Sequence, residues 1–294
     1  MRGFSKFHPA VSGIFFLSVI GITMFSQSPF LLLFSFLGSI LFLWKNSESR
    51  VFFKSMGFYI ALFLITALSN PLFSHNGVTV LFFFNNNPIT LEAILYGVHL
   101  GFMLISVFFW FKAFNIIMTE EKLLFIFGGF SPRIALILTT ALRFIPLLQR
   151  QSRKIREAQT VLGLFSNDTW ILKIKSNLRV FYALISWAFE NAVDVGSSMK
   201  GRGYGLKGKT RYSLFKFRKN DLGALVFVLA LDAFVIISMA FGHLDFSFYP
   251  ALTELNFGLY GSLGIISFGL VSFFPVMVEI KDSIMWRYYK SVRL

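Results

Sequence analysis

The run Gly203-Tyr-Gly-Leu-Lys-Gly-Lys-Thr210 matches, letter for letter, the glycine-rich loop that cradles nucleotide phosphates. Such a loop works where a buried strand turns into a helix whose amides point at phosphate. Here a helical pattern precedes the match, and a short basic segment and an apolar run follow it. No apolar strand ending in a magnesium-ligating Asp accompanies it, so residues 203–210 read as a chance match and ATP hydrolysis is not expected. His8, His75, His99 and His243 are scattered without metal-ligand spacing, and the chain has no cysteine. Gly-x-Ser-x-Gly, a carboxylate pair on one helix face and a His-Glu helix motif are all missing. No catalytic, cofactor-binding or metal-binding residue is therefore assigned. Glu92 and His99, seven apart, share a helix face and could form a buried proton relay. Glu92 also lies in a first helical turn, where a carboxylate suits the positive end of the helix dipole, and that reading is preferred.

The stretch from Asp194 to Gly205 carries a different chemistry. An amphipathic helix stops there on glycines and presents Arg202 at its tip. Glycine just past a helix end takes the left-handed conformation that closes it. The planar guanidinium can then meet a carboxylate or carbonyls on another protein. The plainer alternative is a solvated cap whose basic residue complements the helix dipole.

The elements that position this tip are mostly apolar. Hydrophobic residues make up 55% of 294, charged residues 14%, and mean hydropathy is +0.68. Soluble domains carry about 25% charged residues, so this is an integral membrane protein. Residues 1–25 resemble a signal peptide with a weak cleavage site at Ser26-Gln-Ser28, but a second apolar run follows at once and retention is expected. Joined as one helix, residues 11–44 would reach ~51 Å, too long for a hydrocarbon core of ~30 Å. Two short spans, 11–25 and 30–44, joined by a tight outer turn at 26–29 are expected instead. A third span covers 56–68 and ends at Asn70-Pro71. Residues 70–89 read as a polar loop punctuated by Asn, Gly and Pro. A long fourth helix runs from Thr90 to about Met118, and spans five and six cover 222–241 and 259–278.

Of the chain's 28 Lys and Arg, 18 lie between 122 and 219, against four acids. The three outer loops, 26–29, 69–89 and 242–257, hold none. This is the charge bias of a multi-pass cell-membrane protein with both termini and all basic loops in the cytoplasm. The expected division is 1–118, N-terminal membrane helices; 119–221, a cytoplasmic helical domain; and 222–294, C-terminal membrane helices with a basic tail. Two helical stripes occupy the middle segment. The first starts at Ser131-Pro132, contains Pro146, which should kink or break it, and stops at Gly163. The second carries Leu178, Phe181, Ile185, Ala188, Ala192, Val195 and Met199 and stops at Gly201–Gly203. Such stripes are packing seams, and the Ala188, Ala192 and Gly196 side would admit another helix closely. The two helices are expected to cross each other.

Several motifs, in order, resemble one family: His8-Pro9, Asn70-Pro71-Leu-Phe with Gly77, Ile89-Thr-Leu-Glu-Ala93, Leu142-Arg-Phe-Ile-Pro146, Arg156-Glu-Ala-Gln159 and Met199-Lys-Gly-Arg-Gly-Tyr-Gly205. The set is similar to the transmembrane (T) component of energy-coupling factor (ECF) transporters, the EcfT/CbiQ family. The resemblance implies an L-shaped, all-α membrane protein of about six spans with long cytoplasmic coupling helices. It also implies two ABC-type ATPase subunits, alike or different, and a small membrane (S) subunit that binds a vitamin or metal ion. Each coupling helix in that family ends in a short Arg-centred motif that docks in an ATPase groove. Here the second motif is Gly201-Arg202-Gly203, with Gly201 where the family usually has Ala and Lys200 where it often has Glu. The first falls at Val161-Leu162-Gly163, with Leu162 in place of the Arg. Ser12 replaces a Lys that often follows His-Pro, and 259–278 exceeds the usual pattern.

Two rival functions remain at this level. A stand-alone channel or secondary transporter needs polar groups at the membrane midplane, and these spans offer mostly Phe, Leu and Ile. A membrane-anchored binder of nucleic acid or anionic lipid would use the basic segment, but helical seams and glycine stops suit a specific protein dock. No nucleic-acid partner is expected.

Overall fold

The computed structural model describes residues 3–46, 49–74, 76–84, 87–163, 165, 169–206, 215–253 and 258–292. After a 3-10 turn, Gly3–Lys6, come α1 (Pro9–Phe25), α2 (Pro29–Asn46) and α3 (Ser49–Phe73). A hairpin of β1 (Val80–Phe84) and β2 (Asn87–Thr90) leads into α4 (Leu91–Ile117) and α5 (Glu120–Phe130). Then follow α6 (Pro132–Val161), α7 (Trp170–Gly201), α8 (Lys219–Ala240) and α9 (Leu259–Val292). The chain divides into two compact units, residues 1–123 with 215–294, and residues 124–214.

The first unit is an apolar helical bundle. Among the described residues, α2, the 56–73 part of α3, α4, α8 and α9 are each long and apolar enough to cross a membrane, and α1 is a shorter apolar helix of 17 residues. Helix starts are set by local chemistry. The His8 imidazole accepts from Ala10 N (3.3 Å) ahead of Pro9, whose fixed φ suits a first turn. Thr90 Oγ1 accepts from Ala93 N at α4 (3.3 Å). The Asp221 carboxylate accepts from Arg218 N (2.8 Å) at α8 and from His8 N (3.0 Å), tying the starts of α1 and α8 together. In lipid, helices associate through close packing and shared hydrogen bonds more than through burial from water. Both devices are present. Gly38 lets α2 approach α9 so closely that a Cβ would stand 2.8 Å from the Ser272 carbonyl. Ser35 joins α1, α2 and α4: its hydroxyl meets Thr23 Oγ1 (2.7 Å) and Ser106 Oγ (3.0 Å) and accepts from Trp110 Nε1 (2.9 Å). Around it Phe4, Phe15, Phe16 and Trp110 pack edge to face, with Phe4–Phe15 centroids 5.3 Å apart and Phe15–Trp110 5.7 Å.

Three expectations need correction in this unit. Within residues 70–89, expected as a polar loop, Val80–Phe84 pairs antiparallel with Asn87–Thr90, with a bulge between Val80 and Phe82. Helix α3 continues through Pro71 to Phe73, because Asn70 donates to the Ala93 carbonyl (2.6 Å) and the Tyr249 hydroxyl (3.1 Å) and fixes the last turn. Helix α9 runs on past residue 278 to Val292, through Pro275.

In the second unit α6 and α7 pack on each other as a helical hairpin. Ser152, Ile155 and Gln159 of α6 and Ser176, Val180 and Leu184 of α7 are the shielded positions along that half. Arg156 donates to the Asn177 side chain (3.3 Å) and lies 5.9 Å from the Phe165 ring. Helix α6 is unbroken across Pro146, so that proline does not terminate it.

Candidate docking tips on α6 and α7

The last turns of α6 and α7 are built alike. At the end of α6, Leu162 (φ −76°, ψ 5°) donates to the Ala158 carbonyl at 3.2 Å, and Gly163 follows at φ +76° and donates to Thr160 O at 2.9 Å. At the end of α7, Arg202 (φ −82°, ψ 7°) donates to Ser198 O at 3.1 Å, and Gly203 follows at φ +81° and donates to Lys200 O at 2.9 Å. Leu162 and Arg202 therefore occupy equivalent backbone positions, each followed by a left-handed residue that only glycine adopts without cost. Val161 and Leu162 are 89% and 74% exposed, so two aliphatic side chains stand in solvent at one tip. At the other tip Gly201 and Arg202 are exposed, and a Cβ on Gly201 would meet nothing within 4 Å among the described residues. Each tip is a closed turn that presents its side chains outward, Val161 and Leu162 at one and Arg202 at the other.

The α7 seam is distributed differently from the periodic reading. Ile185, Ala188, Val195 and Met199 are half-buried, whereas Leu178, Phe181 and Ala192 are exposed. The packed positions near the α6–α7 loop are Ser176, Val180 and Leu184, one step around the helix from the stripe of large apolar residues. Beside Gly196, where a close helix was expected, a Cβ would meet nothing within 4 Å among the described residues.

The other singled-out residues have structural surroundings. The Glu92 carboxylate accepts from Thr79 N (3.2 Å) and Thr79 Oγ1 (2.7 Å), which fastens the hairpin to α4. His99 is buried with its ring 5.1 Å from Phe248, so a structural role accounts for each member of the supposed relay. His8 caps α1, His243 lies over Tyr260 at 5.5 Å, and His75 is outside the described residues. Among the described residues no group of His, Cys, Asp and Glu could hold a metal. The phosphate-loop match begins in the turn after α7, not after a strand, and its residues 207–210 lie outside the described residues.

Four charged residues escaped the motif reading. Lys122 is 1% exposed and donates to Ser5 O at 2.8 Å; burial pushes its pKa below the ordinary lysine value. Asp221, Asp232 and Glu279 are buried in α8 and α9. Each could have been found as an acid interrupting or flanking an apolar run.

A family model described as CbiQ, cobalt transport protein, matches residues 4–212. The chain belongs to this family. Relatives named energy-coupling factor transporter transmembrane protein agree with it. One from Listeria monocytogenes is 27% identical over 202 residues, covering 64% of this chain and 75% of that protein. Another, from Lactococcus lactis subsp. cremoris, is 28% identical over 200 residues, covering 63% and 74%. A Listeria innocua relative is 37% identical over 101 residues, which is 34% of this chain and only 38% of that protein. The resemblance to T components thus stands, and the CbiQ-family chain is an all-α membrane protein of a transport family.

Proposed function

We propose that this CbiQ-family chain is the transmembrane coupling subunit of an ECF-type importer. Its two helix tips, Val161-Leu162-Gly163 and Gly201-Arg202-Gly203, dock two ABC-type ATPase subunits. ATP binding draws the ATPases together and moves the tips. Helices α6 and α7, through the face that carries Leu178, Phe181, Ile185, Ala188, Ala192, Val195 and Met199, pass the motion to a small substrate-binding membrane subunit. That subunit reorients and releases a vitamin or metal ion into the cytoplasm. In this reading residues 119–221 form the cytoplasmic domain between two membrane portions, 1–118 and 222–294, and ATP hydrolysis belongs to the partners.

The observation that carries the reading is the matched construction of the two tips. Two long helices ending in turns of matching dihedral angles and hydrogen bonds suit a pair of equivalent grooves, as a dimeric ATPase provides. Leu162 at the Arg202-equivalent place implies that the groove receiving the first tip is apolar. The test is co-purification from native membranes in mild detergent. Wild type should bring down ATPase subunits and a small membrane protein. Arg202→Glu should lose the ATPases while keeping the membrane partner, since truncating one side of a desolvated charge contact costs about 2–5 kcal/mol. Full ATPase recovery with Arg202→Glu would refute the docking role.

A further inference from the structure

The proposed coupling function assigns no role to the β1–β2 hairpin. Its base is fixed to α4 by an unusually complete set of contacts. Glu92 takes the Thr79 amide and hydroxyl, Thr90 Oγ1 donates to Asn76 O (2.8 Å), and Leu91 N donates to Thr79 O (3.0 Å). Gly77, at φ +142°, lies so close to Thr90 and Glu92 that a Cβ would stand 2.6 Å from Glu92 Oε2. From this rigid base β1 projects Val80, Leu81, Phe82 and Phe83, all exposed, Phe83 at 71%. Successive strand side chains point to opposite faces, so both faces of β1 are apolar. No Lys, Arg, Asp or Glu occurs from residue 76 to 91.

A hairpin standing in water would alternate polar with apolar residues, and one serving a single protein partner would be apolar on one face. The surroundings indicate what covers both. The hairpin links the end of α3 to the start of α4, so it lies at the end of two membrane spans. Leu72 and Phe73 at the end of α3, and Leu91 and Leu95 in the first turns of α4, are exposed apolar side chains continuous with it. An open strand edge is excluded from the hydrocarbon core, where unpaired amides find no partner. Phe and Leu on segments that lie along a membrane surface bury at the headgroup–acyl boundary.

We propose that residues 78–83 lie in the headgroup region of the bilayer, as an interfacial anchor that holds the adjoining ends of α3 and α4 at fixed depth. The occupant of this surface is lipid, and Glu92, through Thr79, is the positioning residue that aims it.

The experiment places a fluorescent reporter on the full-length protein, in nanodiscs of phosphatidylcholine with phosphatidylglycerol. The five native Trp complicate emission, so Phe83→Cys, in a chain that otherwise lacks cysteine, carries an environment-sensitive dye. Quenching is compared between spin labels at the headgroup, spin labels deep in the acyl chains, and aqueous iodide. Headgroup labels should quench most. Dominant quenching by iodide, or by deep labels, would overturn the proposal. Protection from all three that arises only when partner subunits are added would show a protein-covered face and overturn it equally. In a Glu92→Gln, Phe83→Cys double variant, iodide quenching should rise. If it does not, Glu92 does not aim the anchor. This measurement needs no transport activity, so its result is independent of the coupling function.

Discussion

Asp232 lies well inside α8, 3% exposed, and neither carboxyl oxygen has a hydrogen-bond partner among the described residues. The Ser18 hydroxyl that faces it from α1 donates instead to the Phe15 carbonyl at 3.0 Å. An acid in this position costs stability, because no donor among the described residues offsets its desolvation. Asp232→Leu should therefore raise the thermal unfolding midpoint in detergent, by the equivalent of about 1–3 kcal/mol, with Asp232→Asn falling between. A lower midpoint for Asp232→Leu in circular-dichroism melts would mean that the carboxyl has a stabilising partner. His8 makes a second residue-level prediction. Burial lowers its pKa below 6.5, against the opposing pull of the Asp221 carboxylate, so the folded state prefers the neutral ring that caps α1. With the folded value below the unfolded one, the unfolded chain binds more protons just under pH 6.5. Stability should then fall as pH drops from 6.5 through the lowered value. His8→Gln should flatten that slope in pH-dependent melts, and an unchanged slope would remove His8 as its source.

At the scale of elements, the two tips depend on Gly163 and Gly203 because a left-handed residue costs a side chain with a Cβ about 1–2 kcal/mol. Gly203→Val should loosen the last turn of α7 and weaken ATPase recovery, while circular dichroism shows the remaining helices intact. Undiminished recovery would mean that the turn geometry is dispensable. These stops were legible in the sequence because glycine at a helix end has few other uses. So were the apolar helices, since hydropathy runs report them directly, and the start of α6 at Ser131-Pro132. The hairpin was not. Val80–Phe84 is a continuous apolar run between Asn-rich stretches, without the alternation that marks a half-buried strand, and it pairs because Glu92 and Thr90 fix its base. The α7 seam was only half legible. Periodicity picked out the large apolar residues Leu178 and Phe181, whereas packing against α6 uses Ser176, Val180 and Leu184, where the side chains include a small polar one. Large apolar residues left exposed on a helix are the property a partner surface would have, and one sequence cannot separate that face from a core face.

At the scale of the whole molecule, the proposed topology turns on whether the number of crossings is odd or even. Five helices meet the length of a membrane span and α1, at 17 residues, is shorter, reaching ~26 Å at 1.5 Å per residue. If α1 stopped short of crossing, the two termini would face opposite sides. The contacts at its two ends favour a full crossing. Before α1, Lys6 pairs with Asp282 in the later part of α9 (2.7 Å), Ser5 receives Lys122 just after α4, and His8 is bonded to Asp221 in the first turn of α8. After α1, Phe25, Ser26 and Gln27 share a cavity of about 410 Å³ with Met239 at the far end of α8 and with Leu244 and Phe246 beyond it. Helix α1 thus begins beside the start of α8 and finishes beside its end. We therefore propose six crossings with both termini on one side, which, by the positive-inside rule, the absence of Lys and Arg from 26–29, 69–89 and 242–257 would make the cytoplasm. Because the chain has no cysteine, single cysteines report this cleanly. Asn76→Cys and Thr253→Cys should react with a membrane-impermeant maleimide added to intact cells. Arg153→Cys, Lys290→Cys and a cysteine placed ahead of Met1 should react only after the cells are opened. Labelling of the N-terminal cysteine but not Lys290→Cys in intact cells would show that α1 fails to cross, and it would place the start of the chain away from the basic loops.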